Sequence, residues 1–345
     1  MSGNLFLQRQ IIPEGMELLE RRFSLLRIIH LDQPVGRRTL AQRTGLSERT
    51  VRSETDFLKK RNFIEIIPRG MVMTKEGLKL LTGLNEFMQD FLGLDQVAEF
   101  IAKKLGFKKV IVIPGDSDES QQTLEQMGQK AAMLLAEFMR QYALIALTGG
   151  NSVKEIVEQF PQGERFPEVM VVPARGGAGR NYNIQSNTLV GRLADRMGGK
   201  YRLLNLPDMI SEQALGTMLK EKEVHDTVNL IKQADVVVAG LGKATVMARR
   251  RGMSEEEVLE LEALDPRGEF FGSYYNSKGK IVKNNLAVGL SLEDVKKAKE
   301  VLIIAGGSSK AEAILSIDFN NINGILITDE GAARGMMELL NHIAI

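Results

Sequence analysis

The chain has 345 residues, 43% hydrophobic and 26% charged, with a net charge of +1, a balance that suits two or so soluble domains with real cores. It has no cysteine and only three scattered histidines, His30, His225 and His342; disulfides, thiolate catalysis and zinc–cysteine sites are excluded, and no metal site is expected. The first residues show no basic-then-apolar leader and no eighteen apolar residues run together, so a cytoplasmic protein without a membrane partner is expected.

Charge is uneven. Residues 1–74 carry 13 Lys+Arg and 8 Asp+Glu, a net +5 that leaves −4 for the remainder. A basic head on a mildly acidic body is the asymmetry of a chain whose head meets nucleic acid. Apolar residues at Met16, Leu19, Phe23 and Leu26 predict a first helix, which Pro34 and Gly36 end. In the next stretch a short helix carrying Arg38 leads to the turn Gly45-Leu46-Ser47, and Ser47 caps a second helix to about Arg61. That is helix-turn-helix spacing. Leu40, Leu46, Val51 and Leu58 would join the helices, leaving Arg49, Thr50, Arg52 and Ser53 outward at the end that reads base edges. Residues 64–74 alternate around Pro68-Arg69-Gly70, a hairpin wing with Arg69 at its tip. The predicted partner is double-stranded operator DNA, bound through Arg38, Ser47, Arg49, Thr50, Arg52, Ser53 and Arg69.

Residues 75–106 read as two helices broken near Gly93, with Leu78, Leu81, Leu84, Met88 and Leu92 on one stripe. The stripe suits internal packing or a dimer seam equally, and a homodimer or homotetramer is expected because one winged helix has a small footprint. The expected domains are a winged head at 1–74, a helical linker at 75–106 and an effector domain at 107–345.

From Val110 short apolar runs alternate with helical patterns: VIVIP, LIALT, VMVVP, YRLLN, DVVVAG, VLIIAG and ILIT. The fold class is α/β, a winged helix-turn-helix followed by a doubly wound, mostly parallel, Rossmann-like domain. Gly268 to Val282 interrupts it with a hairpin-like insertion. Ligands of such sheets lie beyond the carboxyl ends of the strands, where two Gly-Gly turns recur. In LIALTGGNSVKEIV, Gly149 and Gly150 precede Asn151 and Ser152; in VLIIAGGSSKAEAIL, Gly306 and Gly307 precede Ser308, Ser309 and Lys310. Glycine, free N–H groups and a helix start make such turns anion cradles, and two of them suggest two phosphates, or one phosphate and polar hydroxyls. Neither has P-loop spacing, and RGGAGRNY (residues 175–182) lacks the third glycine of a dinucleotide fingerprint. The acidic DSDES at residues 116–120 lacks calcium-loop spacing and reads as a solvated turn.

The winged helix followed in order by TGGNS, PARGG, GLGKA, GEFFGSYYN and AGGSSKAEAI closely resembles the SorC/DeoR-type sugar-sensing repressors, in particular their branch controlling glycolytic operons in Gram-positive bacteria. The resemblance implies a repressor with no cofactor, relieved by fructose 1,6-bisphosphate or a related sugar phosphate. It places that effector among Gly149, Gly150, Asn151, Ser152, Arg175, Gln185, Arg250, Glu269, Ser308 and Lys310, with Arg250 flanked by two further arginines. Close relatives carry threonines where this chain has Asn151 and Ser152. The rival reading is a sugar-phosphate isomerase or deaminase, which the sensor domain also resembles. Those deaminases follow the G-x-G strand end with Asp-Gly-His, whereas Lys243-Ala244-Thr245 stands here. General acid–base chemistry is therefore poorly supplied, though Glu269 could act alone.

Overall fold

The computed structural model describes residues 12–91, 93–176, 181–206, 212–284 and 288–343. These residues divide into two compact units, 1–94 and 95–345.

In the first unit, helix Pro13–Asp32 is followed by Arg37–Thr44 and Glu48–Lys60. The turn between the last two needs Gly45, whose φ of 69° lies in the left-handed region. Ser47 Oγ then accepts from Thr50 N at 3.1 Å and closes the start of the second helix. Asn62, with φ of 60°, turns the chain out at the far end. Strands β1 (Ile64–Ile67) and β2 (Gly70–Met73) pair antiparallel as the wing, with Ile67 opposite Gly70. Leu40, Val51, Leu58, Ile64 and Met71 are buried in one core with Phe23, Leu26 and Ile29 of the first helix. Replacing Ser47 by Ala removes the cap and should cost about 1 kcal/mol, read as a lower denaturation midpoint.

The helical stretch forms Lys75–Phe91 and Leu94–Leu105, with Gly93 at φ 65° between them. Its stripe divides: Leu81 and Leu84 pack into the head's core, Leu78 is 43% exposed, and the side chains of Met88 and Leu92 lie outside the described residues.

The second unit is built on β3 (Lys109–Ile113), β4 (Leu144–Leu147), β5 (Met170–Pro173), β6 (Lys200–Tyr201) and β7 (Val236–Gly240). A smaller sheet follows with β8 (Gly242–Lys243), β9 (Pro266–Phe270), β10 (Ser273–Asn276) and β11 (Ile281–Asn284), before β12 (Glu300–Ile304) and β13 (Gly324–Asp329) return to the main one. The main sheet runs β3-β13-β12-β7-β4-β5-β6, parallel throughout the described residues. Its central strands are apolar at nearly every position because helices cover both faces, so Val236, Val238, Leu302, Ile304, Ile145 and Leu147 are fully buried.

Two expectations change here. YRLLN contributes only Tyr201 to a strand, Lys200–Tyr201, because the Asn187 side chain takes over the backbone of Leu204: its Nδ2 donates to Leu204 O at 3.0 Å and its Oδ1 accepts from Leu204 N at 3.2 Å. The insertion is a three-stranded antiparallel meander rather than one hairpin, and β8 adds a fourth strand to it. The consequence for function lies at β4 and β7. They are neighbours, yet the chain leaves β4 toward β5 on one side and β7 toward β12 on the other, and this divergence opens a crevice at their carboxyl ends.

Candidate effector site and nucleic-acid interface

Two adjoining cavities, of about 280 and 310 Å³, open at that crevice and share Gly149, Gly150, Asn151, Gly240, Arg250 and Glu269. Across it, Gly240 N donates to Thr148 Oγ1 at 3.2 Å, tying the two strand ends together. Arg175 and Gln185 line the first cavity; Ser152, Ser309 and Lys310 line the second. The sequence-predicted effector residues thus converge on one place, except Ser308, which lines neither cavity.

The first Gly-Gly turn is open. A side chain at Gly149 would meet the Ile184 carbonyl at 2.6 Å, so only glycine lets residues 181–185 close against it. Gly150 N donates to that same carbonyl at 2.9 Å, and its φ of 122° turns the chain into helix Asn151–Glu158. Among the described residues no side chain caps this helix, whose N-cap is Gly150. Asn151 and Ser152 of its first turn line the cavities, and the N–H groups and dipole of a helix start favour an anion.

The second turn is not the free cradle that its sequence suggests. Gly307 N donates to Asp329 Oδ2 at 2.7 Å, Ser308 N to the Asp116 carboxylate at 3.2 Å, and Ser309 N to Asp118 Oδ2 at 2.8 Å. Three of the chain's own carboxylates occupy the N–H groups expected to bind a phosphate. The acidic segment read as a solvated turn supplies two of them, while Ser120 caps helix Gln121–Met139. What this turn offers the cavity is the Lys310 side chain. Burial pushes the Lys310 ammonium below its usual range, against the attraction of Asp118 and Asp329, and the Arg250 charge pushes the same way as burial. Burial likewise raises the Asp329 carboxyl against the N–H donors that pull it down.

The arginines after β7 sort by geometry. Arg249 points outward to Glu255 at 3.3 Å and Glu262 at 3.5 Å. Arg250 is exposed and lines both cavities. Arg251, which the sequence marks only as a neighbour of Arg250, turns inward, and its Nη2 donates to Glu269 Oε1 at 2.8 Å. Arg175 Nη1 stands 3.6 Å from the same oxygen. All three side chains of this group are less than 10% exposed. No local signal separates three consecutive arginines; only the end of helix Ala244–Arg250 does. Lys243, Met247 and Phe271 also line the site. Gly177 and Gly179 lie outside the described residues.

In the head, Arg49, Arg52 and Ser53 are exposed on helix Glu48–Lys60, Thr50 is half-buried, and Ser47, Arg38 and Arg69 are exposed. The opposite face holds Val51, Glu54, Thr55 and Leu58. Glu54 is a buried carboxylate held by Arg22 at 2.7 Å and Arg21 at 3.6 Å, and the Arg22 guanidinium lies 3.5 Å over the Phe57 ring. These pairs attach the outward-facing helix to the first helix, and nothing local in the sequence announces them.

Comparison with known proteins agrees with both halves. Residues 89–338 match the family described as "Putative sugar-binding domain", and residues 18–88 match "CggR N-terminal DNA binding domain". The chain is 36% identical over 330 residues to the central glycolytic genes regulator of Bacillus subtilis, covering 96% of this chain and 97% of that one. It is 38% identical over 342 residues to the regulator of the same name in Priestia megaterium, covering 99% and 100%. Among solved structures, a "putative SorC family transcriptional regulator from Enterococcus faecalis" aligns with a TM-score of 0.65 at 31% identity, over 70% of this chain and 99% of that one. The full-length sorbitol operon regulator SorC of Klebsiella pneumoniae aligns with a TM-score of 0.61 at 19% identity, over 95% and 99%, a likeness of fold. Relatives named as regulators, together with the DNA-binding head, set aside the isomerase or deaminase reading. No helix among the described residues is long and apolar enough to cross a membrane. With a DNA-binding unit joined to a sugar-binding one and near-complete alignment to two regulators, the chain belongs to the central glycolytic genes regulator family of SorC-type transcriptional regulators.

Proposed function

We propose that the chain represses a glycolytic operon and that a sugar bisphosphate, fructose 1,6-bisphosphate in the first instance, relieves operator binding. The observation that carries this reading is the contrast between the two turns. An uncapped helix start at Asn151 faces one phosphate, while the side chains of Arg250 and Lys310 stand where a second would arrive. Arg175, Arg250, Arg251 and Lys310 outnumber Glu269, so the crevice favours an anion of several charges over a neutral sugar. Gln185, Asn151 and Ser152 supply donors and acceptors for hydroxyls. Ser308 acts through the turn rather than by contact. The protein works in the cytoplasm as a homodimer or homotetramer without a cofactor; residues 1–74 read DNA, 107–345 bind the effector and 75–106 join them. The test is an operator titration on the full-length protein with and without the bisphosphate. A marked loss of DNA affinity is expected, with hexose monophosphates acting weakly; indifference to every glycolytic phosphate at millimolar concentration would refute it.

Arg52, exposed beside Arg49 on the outward face of its helix, reads a base edge or a phosphate. Arg52→Ala should weaken operator binding by roughly 1–3 kcal/mol, measured by gel shift. Arg69→Ala on the wing should lower affinity for all sequences alike.

A further inference from the structure

Glu269 is anchored unusually firmly for a carboxylate that faces a cavity. It stands on β9, two residues before the two-residue turn that joins β9 to β10, and it is 3% exposed. That turn places Phe271 at φ 49° and Gly272 at φ 85°. The first is a costly conformation for a bulky residue, and Phe271 is held in it by an edge-on contact with Phe270 at 4.8 Å. The turn aims Gly272 N at Glu269 Oε1, 2.5 Å away. Arg251 Nη2 reaches the same oxygen at 2.8 Å from the end of helix Ala244–Arg250. Both donors therefore end on Oε1, and neither takes Oε2. Glu269 also lines both cavities, so its carboxylate borders the space between the uncapped helix start and Lys310.

We infer that Arg251 is the positioning residue of the effector site: it holds Glu269 through Oε1, leaving Oε2 to accept a hydroxyl from the carbon chain between the two anionic ends of the ligand. This inference rests on the function proposed above and adds to it a reason for selectivity. The cations attract any dianion of suitable length. The Glu269 carboxylate, being negative, rejects a third anionic group and rewards a hydroxyl donor at mid-chain. The planar fork of Arg251 sets the orientation of the carboxylate in a way that a lysine ammonium cannot reproduce.

The experiment is calorimetric titration of the full-length protein with two ligands, fructose 1,6-bisphosphate and hexane-1,6-diol bisphosphate, which carries the same phosphates and no hydroxyls. The parent should prefer the sugar by about tenfold or more, the magnitude of one charged hydrogen bond. Arg251→Lys keeps the charge and should keep most of the affinity for the diol bisphosphate, while the preference for the sugar shrinks to about threefold or less. Arg251→Gln should lose affinity for both ligands and lose the preference altogether. Retained diol bisphosphate binding reports an intact fold in Arg251→Lys, so a collapsed preference there is not unfolding. An unchanged preference in both variants overturns the role of Arg251. A parent that binds both ligands equally overturns it too and leaves the anion site standing, whereas a parent that binds neither overturns the proposed function itself.

Discussion

Asp329→Ala should lower the stability of the second unit by about 3–5 kcal/mol, enough to threaten a domain whose total is on the order of 5–15 kcal/mol. The carboxylate is fully buried at the carboxyl end of β13. Its Oδ2 accepts from Ser117 N at 2.8 Å and Gly307 N at 2.7 Å, and its Oδ1 accepts from Ala332 N at 2.9 Å. One side chain thus satisfies three backbone donors in three segments: the loop after β3, the second glycine turn, and the start of helix Glu330–Ile343. Alanine leaves all three without an acceptor, each at a cost of about 1–3 kcal/mol less whatever water recovers. Asp329→Asn keeps one oxygen but turns an amide toward an N–H donor, and should fall between alanine and the parent. Thermal melting reads the effect as a drop of several degrees, since about 2–4 °C accompanies each kcal/mol in a domain of this size. A melting temperature within a degree of the parent would show that the glycine turn and the acidic loop hold each other without Asp329.

The same residue shows where sequence reasoning stopped. The helix-turn-helix and the strand–Gly-Gly–helix turns were legible because each is written locally: Gly45 for the left-handed turn, Ser47 for the cap, Gly149 for close approach, Asn151 to open a helix. The state of a turn is not local. TGGNS and AGGSS look alike as strings, yet one is open and the other is filled by Asp116 and Asp118, some 190 positions away in the chain. Arg250 and Arg251 are adjacent and chemically identical, and only the point at which their helix ends sends one to the cavity rim and the other to Glu269. Short-range chemistry in the sequence pointed to the crevice; which of its side chains face the cavities depends on contacts made across the sheet.

Lys310→Met should abolish most of the bisphosphate response while leaving operator affinity without effector unchanged. Because the backbone of its turn is already occupied by carboxylates, Lys310 offers its ammonium alone to a phosphate, alongside Arg250. Loss of a half-buried charged hydrogen bond amounts to about 1.5–3 kcal/mol, a reduction of roughly 10- to 100-fold in effector affinity. Switching a regulator from about 1:99 to 99:1 needs roughly 5.5 kcal/mol of differential binding, so no single remaining phosphate contact can make up the difference. Arg250→Ala should act in the same direction, and the double variant should respond to no concentration that the cell reaches. The charge state gives a second readout. Burial and the Arg250 charge lower the Lys310 ammonium, and an incoming phosphate raises it. Binding therefore takes up protons on the alkaline side, so effector affinity should fall as pH rises through the lowered range of Lys310, and Lys310→Met should lose that fall. Operator titrations with and without the bisphosphate, repeated at two alkaline pH values, decide it: a Lys310→Met protein that releases DNA as readily as the parent would move the second phosphate elsewhere in the crevice.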